Sequence, residues 1–324
     1  MKNTRFQFYI LLFGIAVSLI KFFVYFHSMS NAILADALES MVNIIAGGFT
    51  LFSLYLASKP ADVLHPYGHG KVEFLAAGFE GSMLLGVGVY SIFKVIQSYY
   101  IPHNLDIDSI DLAIILLLGI FNYGLGVWSH KKGEISNSPA LKGSAVHLKS
   151  DGYISFGIIL GLLFVYLFHW KWVDNAVAII VSLALIYNGY KVIKDSIEGI
   201  LDKADTNILE EVVQYLGKNR KANWIDIHNL RIIKYGSNFH LDAHMTLPWY
   251  FTNRQVHDEM KEVHSLINTH FNKEVEIFIH PDPCETYCCQ VCTIDCSERQ
   301  SPFLKKEEWT LDNVLKNEKH KILK

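Results

Sequence analysis

Cysteine is missing from the first 283 residues; all five cysteines fall between 284 and 296. That distribution excludes a disulfide framework running through the chain. A strong charge imbalance is also missing. The formal net charge is -3 over 324 residues, which offers no electrostatic footprint for nucleic acid. Internal repeats, low-complexity tracts and the H-E-x-x-H signature of zinc hydrolases are all lacking. The first apolar run is too long for a signal-peptide core and no small-residue cleavage site follows it, which argues against a cleaved leader.

What the chain has in abundance is hydrocarbon. Hydrophobic residues make up 51% of it and the mean hydropathy is positive, with the apolar residues concentrated in the first 200. That is the composition of a membrane protein. Six runs are long enough to span a bilayer: 6–26, 32–57, 74–99, 112–128, 145–170 and 173–192. Lys2 and Arg5 precede the first run, and loops 27–31 and 100–111 carry neither Lys nor Arg. Loop 59–71 carries Lys59 and Lys71, and loop 129–144 carries Lys131, Lys132 and Lys142. The fifth connection has Lys171 alone, Lys191 lies at the end of the last run, and Lys194 and Lys203 follow it. Positive residues therefore alternate between loops and place both termini in the cytoplasm of an integral membrane protein, of the bacterial inner-membrane kind.

Beyond Asp202 the pattern changes. An amphipathic stretch at 207–217 reads as a helix, and 224–234 and 238–247 alternate around a turn at 235–238 as a hairpin. Thr252 or Asn253 caps a helix running to Phe271, and 274–279 reads as a last strand. The expected fold class is an α-helical membrane protein: a six-helix transmembrane domain (1–202) plus a small cytoplasmic α+β domain of αββαβ, ferredoxin-like order (203–283). A Cys-rich segment and charged tail (284–324) follow, the tail expected to be weakly ordered or a lone surface helix.

Four polar groups interrupt the membrane runs in a pattern. Glu39 and Asn43 are four residues apart in the second run, and His147 and Asp151 are four apart in the fifth. On helices each pair shares a face. One imidazole, two carboxylates and an amide oxygen suit Zn2+ or a similar transition metal. Binding a metal there requires the ligands to shed protons. The competing reading is a polar pair that only glues helices, but ionisable groups at membrane depth usually mark a pathway. Asp36, three residues before Glu39, reads either as an outer or entry group of such a site or, the favoured reading, as a residue near the outer surface without a role.

Other donors lie outside the membrane. Asp62, His65 and His69 form a loop cluster, set against the reading of a merely solvated loop. Lys71 ends that loop, where it can pair with Asp202. In the soluble domain His228, Asp242, His244, His257, His280 and Asp282 are candidates whose convergence depends on strand register, set against scattered surface histidines. Cys284, Cys288, Cys289, Cys292 and Cys296 include one C-x-x-C. They offer a zinc site, a thiol switch or an incidental cluster.

These motifs resemble the cation diffusion facilitators, a family of proton-coupled exporters of zinc and related divalent ions. The resemblance rests on the six runs, the acidic second run, H-x-x-x-D in the fifth, P-A-D-x-x-H-x-x-G-H-G-K after the second, and H-x-D-P-C closing the soluble domain. It implies a transport site at Glu39, Asn43, His147 and Asp151 and a loop site at Asp62, His65 and His69. It also implies inter-subunit sites at His228, His244, His257, His280 and Asp282, a Lys71–Asp202 charge interlock, and a homodimer joined by the soluble domain. Glu39 and Asn43 depart from the two Asp of the common zinc pattern. A membrane metalloenzyme, and a metal sensor anchored by its membrane part, are the competing functions.

Overall fold

The computed structural model describes residues 2–101, 105–135, 139–235, 238–271 and 275–322. The tip of the expected hairpin turn at 236–237, and the side chains of Lys2, Arg5 and Lys142, lie outside the described residues. The chain divides into two compact units: Met1–Tyr55 with Glu73–Ile197, and Leu56–Val72 with Glu198–Lys324.

The first unit is helical. Its elements are α1 (Lys2–Ser28), α2 (Asn31–Ala57), α3 (Val72–Tyr100), α4 (Ser109–Ile135), α5 (Pro139–Phe168) and α6 (Trp172–Ile200). Among the described residues, five helices are long and apolar enough to cross a membrane, and α1 contributes a shorter apolar helix, Leu12–Ser28. Helices are what such sequences must form, because in hydrocarbon every backbone polar group needs a partner within its own segment.

Small residues set the helix contacts, as expected where apolar surface alone gives no reason to associate. A Cβ on Gly81 of α3 would lie 2.8 Å from the carbonyl oxygen of Gly189 on α6, and one on Gly189 would lie 2.6 Å from that of Gly81. In the α4–α5 pair, a Cβ on Gly152 would come within 2.9 Å of Tyr123 Cβ. The start of α2 is tied to α6 by the buried Asp174. Its carboxylate accepts hydrogen bonds from the backbone of Asn31 (2.8 Å) and Ala32 (3.3 Å) and from the Ser30 hydroxyl, where the positive end of the helix dipole favours an anion.

The second unit contains α7 (Thr206–Lys218), β1 (Asp226–Tyr235), β2 (Asn238–Leu247), α8 (Asn253–Phe271) and β3 (Glu276–Pro283). The sheet order is β1-β2-β3, with β1 antiparallel to β2 and β2 parallel to β3. Asp205 caps α7 by accepting from the backbone of Asn207 and Ile208, the favoured role of Asp at that position. Leu209, Val212 and Leu216 of α7 and Val263 and Ile267 of α8 close over Ile227, Leu241 and Met245 of the sheet. Trp224 is fully buried in the same core and donates its indole N–H to Glu259 at 2.8 Å. It anchors the approach to β1 rather than belonging to the strand.

The tail differs from expectation. It is neither loose nor a lone surface helix: Val314, in the short α9 (Leu311–Val314), is fully buried in the soluble core, with Trp309 and Leu311 packed against it. The Asn229 backbone N–H donates to the Lys316 carbonyl at 2.8 Å, at the irregularity in β1 between His228 and Arg231. Three apolar side chains dispersed among charges supplied the docking. The Cys-rich segment is ordered too: Cys288 and Cys292 bury their side chains beside Ile225 and Val291, and Arg299 donates to the carbonyls of Cys289, Cys292 and Ile294.

Candidate metal sites

In the helical unit, α2 and α5 meet through Asn43 and Asp151. The Asn43 amide donates to both carboxylate oxygens of Asp151, at 3.4 and 3.5 Å. Glu39, one turn before Asn43, is buried, and its Oε2 has no hydrogen-bond partner. His147, one turn before Asp151, is exposed on α5. These four donors do not converge into one of the three-ligand clusters found among the described residues.

Asp36 corrects the expectation of an idle residue near the surface. It is buried, and its Oδ1 lies 2.7 Å from the ammonium of Lys21 on α1. The same ammonium donates to Ser40 Oγ at 2.9 Å. Sequence reading passed over Lys21, although a lone charge inside the first apolar run was the available signal.

The loop donors do come together. Asp62 Oδ1 is 3.2 Å from His65 Nδ1, and Asp62 Oδ2 is 3.5 Å from His69 Nε2. Backbone N–H groups of His65 (2.7 Å) and Leu64 (2.9 Å) donate to Asp62 Oδ1. The His65 backbone bond, with the Leu64 bond and the His65 ring, holds the Asp62 carboxyl below its ordinary value. Gly68, at φ +79°, supplies the left-handed turn that returns the chain toward His69. Lys71, in the same unit, sits 2.8 Å from Asp202.

On the sheet, register settles the convergence. His228 pairs with His244 across β1 and β2, and His244 pairs with His280 across β2 and β3. Their rings stand in a row with centroids 5.2 and 4.9 Å apart. Asp282 joins them: its Oδ2 lies 3.2 Å from both His228 Nε2 and His244 Nδ1, and its Oδ1 lies 3.5 Å from His280 Nε2. Behind the row, buried Asp226 contacts His228 Nδ1 at 3.3 Å and accepts the backbone N–H of the tail's His320 at 3.1 Å. Burial pushes the Asp226 carboxyl up, but hydrogen bonds from His228 and His320 outweigh it and hold the group below its usual range. Asp242 is engaged by His240 at 2.7 Å, and His257 is exposed on α8 outside these clusters.

The five thiols form no three-ligand cluster among the described residues. Burial pushes the Cys288 thiol up to about 11 and raises those of Cys284 and Cys292 as well. A cluster that sequence reading missed joins His27, Asp108 and Asp111. Asp108 caps α4 by accepting from the backbone of Ile110 and Asp111 at 2.9 Å each, which accounts for its place.

Residues 8–201 match the model of the cation efflux transmembrane domain, and 204–284 match that of the cation efflux protein cytoplasmic domain. The chain belongs to the cation efflux family, the cation diffusion facilitators. An uncharacterized transporter of Synechocystis is 25% identical over 242 residues, covering 74% of this chain and 77% of that protein. A manganese efflux system protein of Bacillus subtilis is 24% identical over 273 residues, covering 80% and 91%. A cadmium, cobalt and zinc/H(+)-K(+) antiporter of Bacillus velezensis is 28% identical over 209 residues, covering 64% and 66%. The family member described here is accordingly an integral membrane protein of the divalent-cation efflux class, a transporter rather than an enzyme.

Proposed function

We propose that this protein exports a divalent transition metal, Zn2+ foremost, from the cytoplasm in exchange for protons. Glu39, Asn43, His147 and Asp151 form its transport site. The observation that carries this reading is the half-buried contact of Asn43 with Asp151, which joins α2 and α5 beside an unpartnered oxygen of the buried Glu39. Carboxylates at this depth are costly unless a cation or protons neutralise them, and exchanging one for the other is antiport. The helices must shift for His147 and Glu39 to join Asp151, which suits a site that opens to each side in turn.

The cluster of His228, His244, His280 and Asp282 is the regulatory metal site, with His257 supplied at the interface of a homodimer. The loop cluster of Asp62, His65 and His69 binds metal at the cytoplasmic surface, and both termini face the cytoplasm. Metal held at these sites favours the transporting state, so export rises with cytosolic metal.

Flux in proteoliposomes carrying a pH gradient tests the central claim. Asp151→Ala is expected to lower zinc transport at least about 100-fold, a loss of about 2.7 kcal/mol or more. Normal flux in that variant would overturn the assignment.

A further inference from the structure

Lys21 is the one charged side chain among the largest completely buried residues described. An ammonium so placed is costly unless paired, and here the pairing is specific. Asp36 and Ser40, four residues apart on α2, hold the ammonium between successive turns at 2.7 and 2.9 Å. Glu39 is next to Ser40 in sequence and three residues from Asp36, so the ammonium stands on the stretch of helix that carries the transport carboxylate.

We propose that Lys21 is a specificity-determining positioning residue that withdraws Asp36 from the cation's ligand set and fixes the charge the site presents. This rests on the transport-site reading above. With Lys21 cancelling Asp36, the charges left to face the cargo are the carboxylates of Glu39 and Asp151, since Asn43 is neutral and His147 binds metal as a neutral ring. Two carboxylates balance one dication. Without Lys21, Asp36 would add a third carboxylate on the same helix, in a medium that screens poorly.

The test is the KM and maximal rate for Zn2+ in the reconstituted full chain. Asp36→Asn leaves the buried ammonium unopposed and is expected to raise KM at least tenfold. Lys21→Met leaves Asp36 unopposed and is expected to lower KM several-fold, with a slower maximal rate because a tighter site releases its ion reluctantly. The double variant Lys21→Met/Asp36→Asn removes both charges together and is expected to return KM to within threefold of the parent. Opposite shifts that cancel are what charge-setting requires; a merely structural pair would move both single variants the same way.

Shifts of one sign, no shift, or a double variant displaced more than threefold would overturn the proposal. If the single variants do not accumulate in the membrane, the double variant decides alone. A double variant that fails to accumulate would show the pair to be structural and would equally overturn it. Asp151→Ala separates the two readings: normal flux there sinks the transport site itself, whereas loss of flux there with a displaced double variant sinks only the role of Lys21.

Discussion

Two donor sets in this molecule were equally plain as residue types, yet they differ in assembly. On the soluble sheet, His228, His244 and Asp282 have ligand atoms within contact of one another. In the helical unit, the hydrogen-bonded pair described among Glu39, Asn43, His147 and Asp151 is Asn43 with Asp151, and the four form no three-ligand cluster among the described residues. The cause lies in the backbone. Paired strands sit about 5 Å apart, so a register that aligns three histidines also brings their rings together. Packed helices are about 8–10 Å apart, so side chains from two helices meet only if rotation and depth agree. A sheet cluster is thus standing geometry, whereas a helical cluster can be made and unmade by small rigid shifts. That division suits the roles proposed above, a fixed sensing site on the sheet and a transport site that must release what it binds.

The comparison breaks first if the helix pairs are not rigid bodies. Gly189→Ala places a methyl 2.6 Å from the Gly81 carbonyl oxygen, where neither backbone can yield. We expect about 3 kcal/mol of destabilisation and aggregation in detergent by size exclusion. Gly86→Ala meets nothing within 4 Å and is the matched control, expected to behave as the parent. Equal behaviour of the two would mean that the α3–α6 contact does not constrain the bundle.

The soluble unit is sharpened through its tail. Val314→Ala opens a gap in the core and is expected to cost about 2 kcal/mol by the loss of buried methyl groups, measured by chemical unfolding of the full chain. A neutral result would return the tail to the surface.

The tail also carries a pH dependence, expected to be smaller. Burial lowers the His320 imidazole, but its bond and charge contact with Asp226 outweigh this and raise it above its ordinary value. A raised imidazole adds stability that is complete below about pH 6.5 and fades as pH rises through the folded value. The depressed Asp226 adds stability that is complete above about pH 3.9 and is lost as pH falls through its folded value. The melting temperature should therefore decline from pH 6 to pH 8.5 in the parent, and less so in His320→Gln. An equal decline in both would remove this pair from the account.

Legibility followed the same division. Helix runs, the αββαβ order and the pattern of donor residues were readable because apolar periodicity and i,i+4 spacing are local. The row of histidines was readable only as a possibility, since it depends on how β1, β2 and β3 align, and a one-residue slip would have turned each ring to the other face. Lys21 was missed because its partner lies on another helix, and Asp36 was misplaced for the same reason. The tail was misjudged because Trp309, Leu311 and Val314 are sparse among charges, and a docking strip needs only a few apolar side chains when a groove awaits them. The burial of Cys288 and Cys292 was not legible either, because the apolar side chains they pack with include Ile225, far from them in sequence.

The smallest expected effect concerns the pair that sequence singled out most readily outside the clusters. Lys71 lies 2.8 Å from Asp202, and its ammonium is 5.3 Å from the centre of the Tyr235 ring. Both charged side chains are about a third exposed, so water and salt screen them. Exposed ion pairs contribute about 0–1 kcal/mol and an exposed cation–aromatic contact about 0.5–1. Lys71→Ala should therefore cost about 1 kcal/mol, and the cost should shrink when ionic strength is raised. A Lys71→Ala/Asp202→Asn cycle measured by chemical unfolding isolates the pair from the ring contact, because only the pair is lost in the Asp202 variant. A coupling above about 2 kcal/mol, indifferent to salt, would show that this surface pair behaves like Lys21 and Asp36 in the helical unit. Water and salt would then not screen this pair, despite its exposure.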